Sequence, residues 1–235
     1  MSDSLPILYV EGKDDISVIN SLLLRHGVDT DRGRKHLLIK DLESVELVLA
    51  NMRDAIQAAT ASPVGFVVDI DIEVTHRWDA VRRQLQEPEE LDMDPPPAVC
   101  PSNGFVGKLR TYPHPFGVWL MPDCRTDGQM LEHLIQSLVP AEHPLWLHAQ
   151  SSTAAAARLI DDANLAVQDA NKKWRRFSDA VRIKAEVRSW LAWQREPGVQ
   201  FGAAINDHIL GHDSPQAVAF VGWLGRLYGI AGLQV

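Results

Sequence analysis

Cysteine is scarce in this sequence: two residues in 235, Cys100 and Cys124, with no paired spacing. That argues against a disulfide framework and against a structural zinc site. No run of about 18 apolar residues occurs, so no membrane span is expected. The opening "MSDSLPILYVEGK" has neither a basic start nor an apolar stretch followed by small residues. No secretory signal is therefore expected, and the expected location is cytoplasmic. The nine histidines show no HExxH or HxH spacing, which leaves a zinc hydrolase without support. "SNGFVGKL" contains a Gly-Lys pair but lacks the first glycine and the Ser/Thr of a phosphate-binding P-loop, so a nucleotide-driven engine is absent from the motifs. There is no internal repeat and no low-complexity segment.

What is present is ordinary for a globular protein: 46% hydrophobic and 23% charged residues. The length suits one large domain, or one domain plus a smaller one. The formal net charge of −8 argues against binding nucleic acid through bulk charge alone. It is unevenly spread. Residues 1–139 carry 13 Lys/Arg against 22 Asp/Glu, whereas residues 140–235 carry 10 against 9. Within the second part, "KKWRRFSDAVRIKAEVR" gathers seven basic residues between Lys172 and Arg188.

The first part alternates strand and helix patterns. "ILYV" is a short apolar run, as in a strand buried on both faces. "DDISVINSLLLRHG" follows at helical spacing, with Gly27 as a C-cap candidate. "HLLIKDL" reads as a strand, "ESVELVLANMRDAIQAA" as an amphipathic helix, and "PVGFVVDIDI" as a third strand. "THRWDAVRRQLQ" reads as a helix with Thr75 as N-cap, and the acidic, proline-rich "EPEELDMDPPPAVCPSNG" as a loop. "FGVWLMPD" is a strand ending in an acid, and "DGQMLEHLIQSLV" the helix after it. This alternation predicts an α/β fold with a mostly parallel central sheet and helices on both faces, over residues 1–140. From residue 141 onward only helical patterns occur, which predicts an α-helical C-terminal extension over 141–235.

Three of the strands end in acids: Glu11 after "ILYV"; Asp69, Asp71 and Glu73 after "GFVV"; Asp123 after "GVWLMP". Parallel strands point the same way, so these carboxylates are expected along one edge, where such sheets bind ligands. Glu11 and Asp15 are four apart and can face one point if the helix starts near Lys13. Asp69 and Asp71 alternate as strand residues do, with Ile70 packing inward. Carboxylate oxygens suit hard cations such as Mg²⁺. Such a site can work on phosphodiesters, because phosphoryl transfer needs little beyond positioning and charge neutralisation.

"LYVEGKDDISVI" resembles the first motif of the Toprim domain: a strand, Glu-Gly, then Asp four residues after the Glu. "GFVVDIDIE" resembles the second: a strand, Asp-x-Asp, and a third acid, often Asp in that family and Glu73 here. The resemblance covers about residues 5–140. "THRWDAVRRQL", "GVWLMPDCRTDGQMLEHLI" and "IKAEVRSWLAWQREPGVQFGAAI" further resemble a family of stand-alone bacterial Toprim-like proteins. The resemblance implies a Toprim-like Rossmannoid and a Mg²⁺- or Mn²⁺-dependent nuclease acting on DNA or RNA, with a role in defence against foreign nucleic acid. By it, Glu11, Asp15, Asp69, Asp71, Glu73 and Asp123 are the metal ligands, with Glu11, Asp69 and Asp71 catalytic. Asp123 and Glu132 would line the second half of the site. Lys184 is the candidate basic catalytic residue, because nucleases of the overcoming-lysogenization-defect type use a lysine downstream of the acids. Those nucleases carry an ATPase in the same chain; here it would be a separate partner. A non-catalytic Toprim module serving such a partner is the alternative reading, and a homo-oligomer is compatible with either. None of Tyr9, Tyr112 and Tyr228 is placed as a topoisomerase nucleophile.

The same residues suit blander work. Glu11 can cap the following helix, Gly12 can only permit the turn, and Asp14 can be a solvated residue favoured by the helix dipole. Asp69 and Asp71 can be turn formers, and Lys184 can sit on a solvated basic face with Lys172, Lys173, Arg175 and Arg176. Trp174, Trp190, Trp193 and Trp223 could stack on bases, although helical spacing assigns most of them to the core. Cys100 and Cys124 are expected to be inert.

Overall fold

The computed structural model describes residues 5–28, 37–86, 91–167, 171, 173–230 and 233. Five strands form one sheet in the order β2-β1-β3-β5-β4. They are β1 (Ile7–Val10), β2 (Leu38–Asp41), β3 (Val64–Asp69), β4 (Phe105–Lys108) and β5 (Pro115–Met121). The first three and β5 run parallel, and β4 is antiparallel to β5. The described helices are α1 (Lys13–Arg25), α2 (Val45–Ala58), α3 (Val74–Gln86), α4 (Leu131–Ser137), α5 (Pro144–Leu165), α6 (Asp179–Ala192), α7 (Phe201–Asn206) and α8 (Pro215–Tyr228). This is the expected α/β fold with a mostly parallel sheet and a helical C-terminal region. Among the described residues no helix is long and apolar enough to cross a membrane.

The central strands are apolar throughout because helices cover both faces. Tyr9 and Phe66 stack at 5.5 Å on the face under α2, and Leu8 lies on the other face under α8. That second face has a row of small positions. Leu8 pairs with Gly65 and Gly65 with Gly117 across β1, β3 and β5. The two glycines let α8 settle close to the sheet. A Cβ on Gly65 would stand 2.5 Å from the Tyr228 hydroxyl and 2.8 Å from Leu227 and Leu8. The approach is locked by two polar tips: Tyr228 Oη donates to Ile7 O (2.8 Å) and Trp223 Nε1 to Phe105 O (3.1 Å). One apolar core thus runs from Leu8 in β1 to Leu233 beyond α8.

Helix α1 begins at Lys13 and ends before Gly27, whose φ of 86° is the left-handed conformation a C-terminal glycine allows. Ser44, Ser178 and Ser214 cap α2, α6 and α8 through their hydroxyls. Three local expectations differ from what is found. Helix α3 starts at Val74, before Thr75, and the Val74 N–H is held by Asp127 from the loop after β5 (2.8 Å). A distant side chain thus replaces the local cap. Strand β4 was not expected, because "FVGK" is four residues with a central glycine and no apolar run; pairing with β5, not its own pattern, makes it a strand. Of the helical patterns after residue 141, the alanine-rich tract 152–194 divides: α5 ends at Leu165 and α6 starts at Asp179.

Gly65→Ala is expected to lower the denaturant midpoint, costing about 1–3 kcal/mol, because the added methyl meets well-packed side chains. Equilibrium unfolding in urea measures it, and an unchanged midpoint would show that α8 is free to withdraw from the sheet.

Candidate active site

The carboxyl ends of β1, β3 and β5 meet at one edge of the sheet, and the strand-end acids converge there. Glu11 follows β1 directly. It does not cap α1: its Oε1 accepts the Asp69 N–H at 2.7 Å, a bond from one strand end to the next. The cap is made instead by Asp15, whose Oδ2 reaches back to the Gly12 N–H (2.9 Å). Asp69 accepts the Leu131 N–H at 3.1 Å, tying β3 to the start of α4. Glu132, the next residue, is buried and pairs with Lys184 from α6 (3.3 Å).

These groups are short of water and close to one another. Burial, the Glu11 charge and the more distant Glu132 charge push the Asp15 pKa up to about 7, against the pull of two backbone N–H groups. Asp69 is raised well above the ordinary carboxylate range, first by burial and then by the charges of Glu11, Asp15, Asp71 and Glu132. Glu11 is raised by burial, partly offset by its bond from Asp69 N, with Asp71 raising it further and Arg77 lowering it. Among the described residues no three Asp, Glu, His or Cys side chains stand close enough to enclose an ion as they are placed. Glu11, Asp15 and Asp69 each accept from a backbone N–H, and Glu132 pairs with Lys184. The donor set still fits a hard divalent ion: Glu11, Asp15, Asp69 and Glu132 offer oxygen only, in a partly desolvated edge with an excess of negative charge.

Asp71, Glu73 and Asp123 take other places. The strand stops at Asp69, and Asp71 sits in a turn with φ of 61°, so it does not continue the alternation expected of it. The turn is pinned to the loop before α4 by Asp71 N to Gln129 O (3.0 Å) and Gly128 N to Ile72 O (2.7 Å). The Asp71 carboxylate lies at the rim, 41% exposed, paired with Arg77 at 2.6 Å. Glu73 is exposed, and its carbonyl takes the first bond of α3 from Arg77 N (3.0 Å). Asp123 spends both oxygens on its own loop, accepting from Arg125 N, Thr126 N and Thr126 Oγ1 at 2.8–3.0 Å. Its charge acts on His133 and Cys124.

A cleft of about 480 Å³ opens beside Asp71, between the loop 127–129, His133 and the start of α6 at Ser178–Ala180. The Met130 N–H donates to His133 Nδ1 at 3.2 Å, so the neutral ring carries its proton on Nε2. Sequence reasoning missed His133, Arg77 and the capping role of Asp127: Asp127 reaches Val74 across 53 residues, and the contacts of Arg77 with Asp71 and of His133 with Met130, six and three residues apart, lie at helix starts that no periodic pattern marks. Asp14 is not solvated alone: it pairs with Arg188 of α6 at 2.6 Å, and Arg188 lies over Phe201. Of the basic group around Lys184, Arg176 pairs with Asp161, Lys173 and Arg175 are exposed, and Lys172 lies outside the described residues. Trp190 and Trp223 are core, whereas Trp174 and Trp193 are exposed. Burial pushes the Cys124 thiol well up, and the Cys100 thiol adds to the shift; Cys124 Sγ accepts the Leu120 N–H and Cys100 Sγ donates to Pro101 O.

A carboxyl with a raised folded-state pKa keeps its proton longer in the folded chain than in the unfolded one. Between about pH 4 and about 7 the folded protein holds more protons, so its metal-free stability falls as pH rises through that window. The thermal midpoint in chelator is expected to be higher near pH 5 than near pH 8. Asp69→Asn keeps an oxygen for the Leu131 N–H and removes one charge. It should raise the midpoint at pH 8 by a few degrees and flatten the pH dependence. If Asp69→Asn lowers the midpoint at pH 8, the acids are structural caps and not a strained cluster.

Nearly the whole chain takes part in this arrangement, from Glu11 after β1 to the helices that carry Lys184 and Arg188. Neither a curated protein nor a solved structure matches it. A family described as "Protein of unknown function (DUF3226)" matches residues 6–229, and the chain belongs to that family.

Proposed function

We propose that this protein is a Toprim-like, divalent-metal-dependent nuclease that hydrolyses phosphodiester bonds of DNA or RNA. One observation carries the reading: four carboxylates from three elements gather at the carboxyl edge of a parallel sheet, with a lysine from α6 seated on one of them. Glu11, Asp15, Asp69 and Glu132 would hold Mg²⁺ or Mn²⁺, with Asp71 at the rim. When bound, such an ion activates water and neutralises charge on the phosphoryl oxygens.

The protein's own groups do the rest. The Asp69 N–H and the Leu131 N–H hold one oxygen each of Glu11 and Asp69 and leave the other oxygen of each carboxylate for a ligand. Glu132 holds the Lys184 ammonium at the edge of the cluster, where it can meet a phosphoryl oxygen carrying developing negative charge. Lys184 remains 54% exposed, so its head is free to turn from Glu132 to a substrate. The cleft beside Asp71 gives a strand room to approach the acids.

Plasmid DNA, single strands and structured RNA are incubated with the purified chain and Mn²⁺ or Mg²⁺. Cleavage is expected, with Glu11→Gln and Asp69→Asn lowering it by at least about 100-fold, as losing a preorganised charge contact does. Lys184→Ala should lower kcat more than it raises KM. Wild type should also gain thermal stability with millimolar Mn²⁺, by about 2.7 kcal/mol at 100 times Kd, and Asp69→Asn should lose most of that gain. An unshifted wild-type midpoint, or variants that cut as well as wild type, overturns the reading. Cleavage that appears only with a co-purified ATPase would assign the chain a subunit role.

A further inference from the structure

The segment between α5 and α6 holds one aromatic residue in an unusual way. Asn164, in the last turn of α5, is 3% exposed. Its Oδ1 accepts the Trp174 N–H (2.7 Å) and its Nδ2 donates to Trp174 O (2.9 Å). A buried amide thus uses both its polar ends to fix the backbone of a single residue in a connecting segment. The indole of that residue points to solvent, 63% exposed, while Trp78, Trp119, Trp190 and Trp223 are all at 0–1%. The backbone of Trp174 is thus tied at both its N–H and its carbonyl while its large ring is left to solvent.

Its surroundings favour one kind of ligand. Lys173 and Arg175 flank it and are exposed, and residues 170–178 contain no acid in a chain of net charge −8. Arg176, next along, is paired with Asp161 at 3.0 Å. The segment then runs into Ser178–Ala180, which form one wall of the cleft that opens at Asp71. An exposed aromatic face between two cations with no partner among the described residues, four residues in sequence from the wall of a cleft beside Asp71, suits a strand whose bases are unpaired. A base stacks on the indole and its neighbouring phosphates lie by the cations. A duplex keeps its base faces stacked inside and would offer only phosphates.

We propose that Trp174, with Lys173 and Arg175, is a stacking site for single-stranded nucleic acid that leads the strand toward the acid edge. The inference rests on the proposed nucleic-acid substrate, not on its cleavage. It is tested in chelator, where cleavage does not enter, by fluorescence anisotropy of a labelled pyrimidine oligonucleotide and of a duplex of equal length. The single strand should bind more tightly than the duplex. Trp174→Ala should weaken it by about 5- to 100-fold, the loss expected for one stacked base, and Trp174→Phe should retain most of the affinity. Because Asn164 holds the backbone of residue 174 and not its ring, both variants should keep the wild-type thermal midpoint. Should Trp174→Ala not fold, quenching of tryptophan emission by the strand in wild type, absent in Trp174→Phe, supports the site equally. Lys173→Gln should reduce the slope of log affinity against log salt by about 0.7. A wild type that binds no strand overturns the proposal, as does a Trp174→Ala that binds like wild type or a duplex that binds as tightly as the strand. If wild type cleaves nothing with Mn²⁺ yet Trp174→Ala still loses binding, the nuclease reading fails and the stacking site stands.

Discussion

Three backbone N–H groups donate to three carboxylates, one buried and two partly shielded from water, and the rest of the arrangement depends on those bonds. Asp69 N holds Glu11, Leu131 N holds Asp69, and Gly12 N holds Asp15. Removing a carboxylate from water is costly unless donors replace the lost hydration. Here each donor comes from a strand end or a helix start, positions where N–H groups lack partners within their own element. The sheet edge and the acids therefore satisfy one another's needs. The balance is incomplete, since burial and mutual repulsion still leave Asp15 near neutrality and Asp69 well above the usual range. An edge so arranged is held by geometry but remains short of positive charge.

That shortage gives meaning to the C-terminal helices. They bring two cations to acids beside the strand ends: Lys184 to Glu132, 52 residues earlier in the chain, and Arg188 to Asp14, 174 residues earlier. Both lie on α6, one turn apart, so they share a face. The placement of α6 is fixed in turn by packing. Trp190 is fully buried against α5 and donates to His143 (3.2 Å), while Arg188 lies 4.1 Å over Phe201 of α7. Helix α7 presses on α1, where a Cβ on Gly202 would meet the Ser17 carbonyl at 2.5 Å. A charge contact at the site is thereby set by apolar contacts elsewhere. The helical region belongs to the same core as the sheet and is not an appendage to it.

The strand-end acids were legible in the sequence because two short patterns, an apolar run and its terminal carboxylate, recur in order. The start of α1 at Lys13 followed from the same reading and placed Glu11 and Asp15 together. What failed was local geometry after the strands. Asp71 reads as the next residue on one face of a strand, but a positive φ turns it to the rim, where Arg77 takes it. Asp123 sits in the right place along the chain and spends its oxygens on its own turn. Glu132 has no local pattern; it matters because Asp69 anchors the residue before it. Strand β4 arises only from its pairing with β5, which periodicity does not encode.

The charge distribution then poses a physical requirement for any polyanionic substrate. A phosphate approaching the sheet edge meets Glu11, Asp15, Asp69, Asp71 and Glu132, a field that repels it before any bound cation can act. Attraction must therefore come from somewhere adjacent, within about a Debye length of 8–10 Å. Among the described residues, Lys173 and Arg175 are exposed and lead in sequence into the start of α6 that walls the cleft, whereas Arg182, Lys184 and Arg188 of α6 each pair with an acid. For such a substrate, attraction by the basic segment and contact with the acid edge are separate electrostatic tasks. The first weakens with added salt, as surface attractions do, whereas the buried acids are screened much less.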